Sequence, residues 1–106
     1  MPDAKHTPGP WQARKDPYCD AWPILAESTA IGPSMRTVAR VSAAHHGDST
    51  EKEANARLIA AAPDLLAELI KATDLLDSVS RSFTDDVYSG PVAHFRAAIA
   101  RAQGKE

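Results

Sequence analysis

The sequence predicts an α+β fold, with a short antiparallel sheet of two to three strands in the N-terminal half packed against two to three C-terminal helices. Three observations predict it. Pro2, Pro8, Pro10, Pro17, Pro23 and Pro33 crowd into the first third, where a missing N–H excludes helix interiors. Two runs between those prolines alternate apolar and polar side chains with the period of a half-buried strand. Beyond residue 48 the apolar residues instead recur three and four apart, the spacing of an amphipathic helix. The chain of 106 residues reads as a single domain, 1–106, with loops and short strands over 1–48 and helices over 49–106.

In the strand region, Ala21 to Glu27 places Trp22, Ile24 and Ala26 on one side. The next run puts Met35, Thr37, Ala39 and Val41 together and Arg36, Val38 and Arg40 opposite. The linker from Ser28 to Ser34 suits a hairpin loop, and Trp11 to Arg14 is a candidate third edge strand before a turn at Asp16-Pro17. Thr50 and Glu53 have the spacing of a capping box, which starts a helix near residue 50. Pro63 then imposes either a sharp kink or two helices meeting at Ala62. From Leu65 the series Leu65, Leu69, Ala72, Leu76, Val79 and Phe83 forms one stripe, with Leu66 and Ile70 to one side of it. Those two suit either a second intramolecular contact or a homodimer seam. Gly90-Pro91 opens a last helix whose apolar face is Val92, Phe95, Ile99 and Ala102. The expected helices are about 50–61, 63–82 and 91–103.

Composition excludes several classes of function. Apolar content of 43% and charged content of 25% are those of a folded globular chain. A net charge of −2 argues against a broad basic surface, so direct nucleic-acid binding is not expected. No apolar run approaches the roughly 20 residues that span a bilayer, and the N-terminal residues lack a signal-peptide layout. A cytoplasmic protein is expected, and one cysteine, Cys19, fits a reducing compartment.

Few residues suggest chemistry. His45 and His46 are the best concentration of metal-ligand side chains, yet no second spaced cluster completes a tetrahedral site, and no metal or cofactor is expected. Cys19 stands beside Asp20, which disfavours a thiolate. Phosphate-cradling glycine loops and serine-nucleophile motifs are missing, so the chain is not expected to be an enzyme. Arg36, Arg40 and Arg57, with His45 and His46, form a candidate spot for an anionic ligand; the plainer reading pairs Arg57 with Glu53 one turn earlier. Trp11, Tyr18, Trp22, Asp85, Asp86 and Tyr88 are the candidate anchors for a partner, since aromatic residues dominate interface energetics. For Trp11 the simpler role is packing, because His6-Thr7-Pro8-Gly9-Pro10 forms a stiff clip that delivers it to a groove.

The His6-Thr7-Pro8-Gly9-Pro10-Trp11 block and the run Asn55-Ala56-Arg57-Leu58-Ile59-Ala60-Ala61-Ala62-Pro63-Asp64-Leu65-Leu66 resemble a family of short phage and prophage proteins, most of them without an assigned activity. The resemblance implies an α+β fold and a mobile-element origin, and it carries over no catalytic residue. The segment Asp16 to Ser34 and the tail beyond Ser82 match no pattern of that family, which makes them the expected places for specificity. The leading expectation is an accessory protein that binds a host protein or complex in the bacterial cytoplasm, most concretely an anti-CRISPR type inhibitor of host defence. A nucleotide sponge using the arginine and histidine spot, and a structural homo-oligomer seamed by Leu66 and Ile70, are the alternatives.

Overall fold

The computed structural model describes residues 6–28, 34–42, 48–82 and 88–105. Three strands, β1 (Trp11–Ala13), β2 (Trp22–Ser28) and β3 (Ser34–Val41), are followed by three helices, α1 (Ser49–Ala60), α2 (Ala62–Arg81) and α3 (Ser89–Ala102). The α+β class is as expected. The described chain groups into two compact units, Thr7–Asp64 and a second that comprises His6 and the part from Leu65 onward.

In the first unit the sheet has the order β1-β2-β3, antiparallel throughout. Trp11 lies opposite Ala26 and Ala13 opposite Ile24, so these residues share the inner face of the sheet. That face packs on α1. Ile24, Val41 and Ala56 are buried at its centre, surrounded by Trp11, Ala13, Trp22, Val38, Ala39, Ile59 and Ala60. The expected alternation holds in β2, where Ile24 and Ala26 are fully buried. It fails in β3. Leu25 pairs with Thr37 and Ile24 with Ala39, which leaves Val38 as the extra residue of a β-bulge. The bulge reverses the sense of alternation along the strand. Ala39 and Val41 keep the inner face, but Thr37 does not share it, and Arg36 falls on the inner face while Arg40 takes the outer one.

The helix signals need smaller corrections. Asp48, not Thr50, caps α1: its carboxylate accepts the Glu51 N–H at 2.8 Å. Pro63 separates two helices rather than bending one, with Ala61 as the cap between them. It is the second residue of α2 and is buried, and it lies against the N-terminal clip. A Cβ placed on Gly9 would come within 3.2 Å of both Cβ and Cγ of Pro63. The two blocks that mark the family resemblance therefore touch each other. Gly9→Ala is expected to cost about 1–3 kcal/mol through overpacking against a rigid ring. Urea unfolding of that variant checks it, and an unchanged midpoint would show that the clip yields freely.

In the second unit the inward face of α2 is turned from the expected one. The least exposed positions are Leu66, Leu69, Ile70, Thr73, Leu76, Asp77 and Ser80, whereas Leu65, Ala72 and Val79 are exposed. At about 100° per residue the centre of this face is Thr73, roughly 80° round from the predicted stripe. Thr73 is fully buried, and its hydroxyl is satisfied there by donating to the Leu69 carbonyl at 2.7 Å. Phe83, the expected end of the stripe, lies outside the described residues. On α3 Val92 is buried and Ile99 half-buried, while Phe95 and Ala102 are exposed. Arg96 reaches α2, contacting Asp74 at 3.4 Å and Asp77 at 3.3 Å. Gly104, at φ 73°, ends α3 in a Schellman turn, with Gly104 N–H donating to Arg101 and Lys105 N–H to Ala100.

Candidate interaction surface

The β1–β2 hairpin ends in a tip, Pro17-Tyr18-Cys19-Asp20, that is fastened from both sides. Its ladder continues past β1 in the same register: Arg14 N–H donates to Pro23 O at 3.1 Å and Asp16 N–H to Ala21 O at 2.9 Å. The Asp16 carboxylate then accepts the Tyr18 N–H at 2.8 Å, an Asx turn that fixes the start of the tip. Arg40, on the outer face of β3, reaches Asp16 at 3.2 Å and Cys19 Sγ at 3.4 Å. Lys15 donates to the Cys19 carbonyl at 2.8 Å.

On the other side Asp20 ties the tip to α1. Its carboxylate lies 2.9 Å from Lys52 Nζ and 3.2 Å from Ser49 Oγ, with Lys15 at 3.8 Å. Lys52 is only 5% exposed, its chain lying along the inner face of the helix with Ala56. Asp20 also sits at the start of α1, where the helix dipole favours a negative charge. The bond from Lys52, and after it the Ser49 hydroxyl and the Lys15 charge, hold the Asp20 carboxyl below its ordinary value. Asp16 is lowered chiefly by the Tyr18 amide, then by Cys19, Arg40 and Lys15, against the opposing pull of desolvation.

What this scaffold presents is Tyr18, 95% exposed. The other candidate anchors are placed differently. Trp11 and Trp22 are half-buried against the core, the former donating its indole N–H to Thr7 O at 3.1 Å. The indole nitrogen of Trp22 is buried with no acceptor among the described residues. Tyr88 is half-buried and accepts the Val92 N–H at the start of α3. Asp85 and Asp86 lie outside the described residues, as do His45 and His46.

The arginines do not converge as the candidate anion spot requires. Arg57 pairs with Glu53 at 3.2 Å, the plainer of its two readings. Arg36 contacts the Thr7 hydroxyl at 3.4 Å on one face of the sheet, and Arg40 binds Asp16 on the other. Leu66 and Ile70 are half-buried on the Thr73 face of α2. Among the described residues no group of three His, Cys, Asp or Glu side chains is placed to hold a metal ion. Nor is any described helix long and apolar enough to cross a membrane.

The residues that fasten the tip were largely invisible in the sequence. Asp16-Pro17 signalled a turn, but nothing marked Lys52 as buried or Asp20 as its counter-charge. Their pairing spans 32 positions and follows only from the docking of α1 on the sheet.

The family model described as Salmonella phage P22 protein Y8K6 matches residues 1–106. The chain belongs to that family. It is therefore a phage-family protein, with the match running through the clip, the hairpin and all three helices. No curated protein and no solved structure matches it.

Proposed function

We propose that this phage-family protein is a non-enzymatic accessory protein that binds a host protein or complex stoichiometrically in the bacterial cytoplasm. In its most concrete form it inhibits a host defence complex, as anti-CRISPR proteins do. The observation that carries the binding reading is the presentation of Tyr18. An aromatic side chain that is 95% exposed has no part in the core. It stands on a tip held by Asp16, Arg40, Asp20 and Lys52, so little conformational freedom remains to be lost on docking. Tyrosine is among the residues that most often carry interface energy. The defence target is drawn from phage-family membership and small size.

The alternatives have less support. The separation of Arg36 from Arg40, and the pairing of Arg57 with Glu53, weigh against a nucleotide sponge built on those three. Partial burial of Leu66 and Ile70 weighs against a homodimer seam there.

Affinity capture from host lysate tests the proposal, using the tagged wild type beside Tyr18→Ala, whose removal leaves the core intact. One host complex at near-stoichiometric yield is expected with the wild type, with retention at least about ten-fold lower for the variant. An empty column, or equal capture by both, overturns it.

A further inference from the structure

We infer that the β-bulge at Val38 and the side chain of Arg36 together keep the open edge of β3 from pairing with a second copy of the chain. This property belongs to the sheet and is independent of the binding reading above.

The edge is open by topology. In the order β1-β2-β3, the strand β3 has a neighbour on one side only. Among the described residues, no backbone group outside β2 bonds to residues 35–41. A strand of eight residues in that position is a template for one more strand.

The register shows which groups the edge offers. Arg14 N–H donates to Pro23 O, so Pro23 faces β1 and its neighbours Trp22 and Ile24 face β3. Continuing that alternation, Val41, Ala39, Arg36 and Ser34 face back to β2. Arg40, Thr37 and Met35 therefore turn their N–H and C=O groups outward. Pairing with a further strand needs such groups at every second residue. Met35 and Thr37 keep that step, but the extra residue Val38 sets Arg40 three positions beyond Thr37.

One short register remains for an antiparallel pair of copies, with Met35 opposite Thr37 of the second copy. It sets Arg36 directly against Arg36 of that copy, in a non-hydrogen-bonded pair with Cα atoms about 4.5 Å apart. Like charges placed so are destabilising. Among the described residues no carboxylate offsets the charge of Arg36, whose side chain contacts the Thr7 hydroxyl at 3.4 Å. Registers that reach Arg40 must cross the bulge, where the strand bends and its twist rises.

Deleting Val38 removes both obstacles and leaves every other side chain on its own face. Met35, Thr37 and Arg40 then fall in step. A pair centred on Thr37 sets Met35 opposite Arg40 and Arg36 opposite Ala39, so no arginine meets another.

Sedimentation equilibrium on the full chain is the test. It compares the wild type, the Val38 deletion, the deletion carrying Thr37→Pro, and an equimolar mixture of wild type with Arg36→Glu. The Thr37 N–H faces outward, so proline there costs the sheet no bond and blocks only a mate. The mixture keeps the bulge and turns the arginine repulsion into attraction. Circular dichroism confirms which variants fold.

The wild type should stay a monomer. The deletion should move toward twice that mass as concentration rises from micromolar to millimolar, and the proline should reverse it. The mixture should associate at millimolar concentration where neither component does alone. A wild type that dimerises, a folded deletion that stays a monomer, or association that survives the proline overturns the inference. If the deletion does not fold, the mixture decides, and a mixture that stays monomeric overturns it as well.

Discussion

Ile24→Ala is expected to lower stability by about 2–5 kcal/mol, the range for removing a buried branched side chain and leaving a cavity. Among the described residues Ile24 is the largest fully buried apolar side chain, in the central strand, where the inner face of the sheet meets α1. Its cross-strand neighbours Ala13 and Ala39 are too small to fill the space, so the site collapses little and the upper half of the range applies. The melting temperature should fall on the order of 10–30 °C. Leu75→Ala is the control: a leucine 67% exposed should change stability by less than about 0.5 kcal/mol. Thermal melts of the two variants side by side decide the point, and equal shifts would show that the core is not centred on Ile24.

The second large effect is an asymmetry between the two partners of the tip-to-helix ion pair. Asp20→Asn removes the carboxylate that faces an ammonium almost wholly buried, and losing the counter-charge of a buried pair is destabilising. Lys52→Met removes the charge and keeps an apolar chain of similar length, an exchange that costs about 1 kcal/mol or less. The asparagine variant should therefore melt well below the methionine one. The same pair sets the acid response. Asp16 and Asp20 ionise at lower pH in the folded chain than in the unfolded one, where carboxyls titrate near 3.8. Their contribution is thus complete above that pH and is lost as pH falls through the lower folded values. Stability of the wild type should drop more steeply below pH 3.8 than that of Asp20→Asn, measured by urea titration across the range. Parallel curves would show that Asp20 contributes nothing to acid unfolding.

Much of the architecture was legible because it is written in local signals. Alternation around Trp22, Ile24 and Ala26 marks a strand, and Pro63 marks a kink or a break, which the structure resolves as a break between two helices. The errors have non-local causes. No residue type in Met35 to Val41 announces a bulge, and one inserted residue is enough to move Arg36 and Arg40 to opposite faces. The stripe on α2 was misplaced because periodicity counts Thr73 as polar, whereas its bonded hydroxyl makes it an acceptable centre for a buried face. Of the candidate site, Tyr18 is legible in the sequence, but its setting is not. A lysine on a helix reads as solvated until the sheet on which that helix lies is known.

The contact between Gly9 and Pro63 has a consequence for how such a protein can evolve. The two blocks that carry the family resemblance are a pair of mated surfaces, answerable to each other. The hairpin tip is held by a different set of bonds, to Arg40 and Lys52. A lineage is therefore free to vary Pro17 to Asp20 while its frame stays recognisable. Two chains with the same clip and the same helix break need not share a tip.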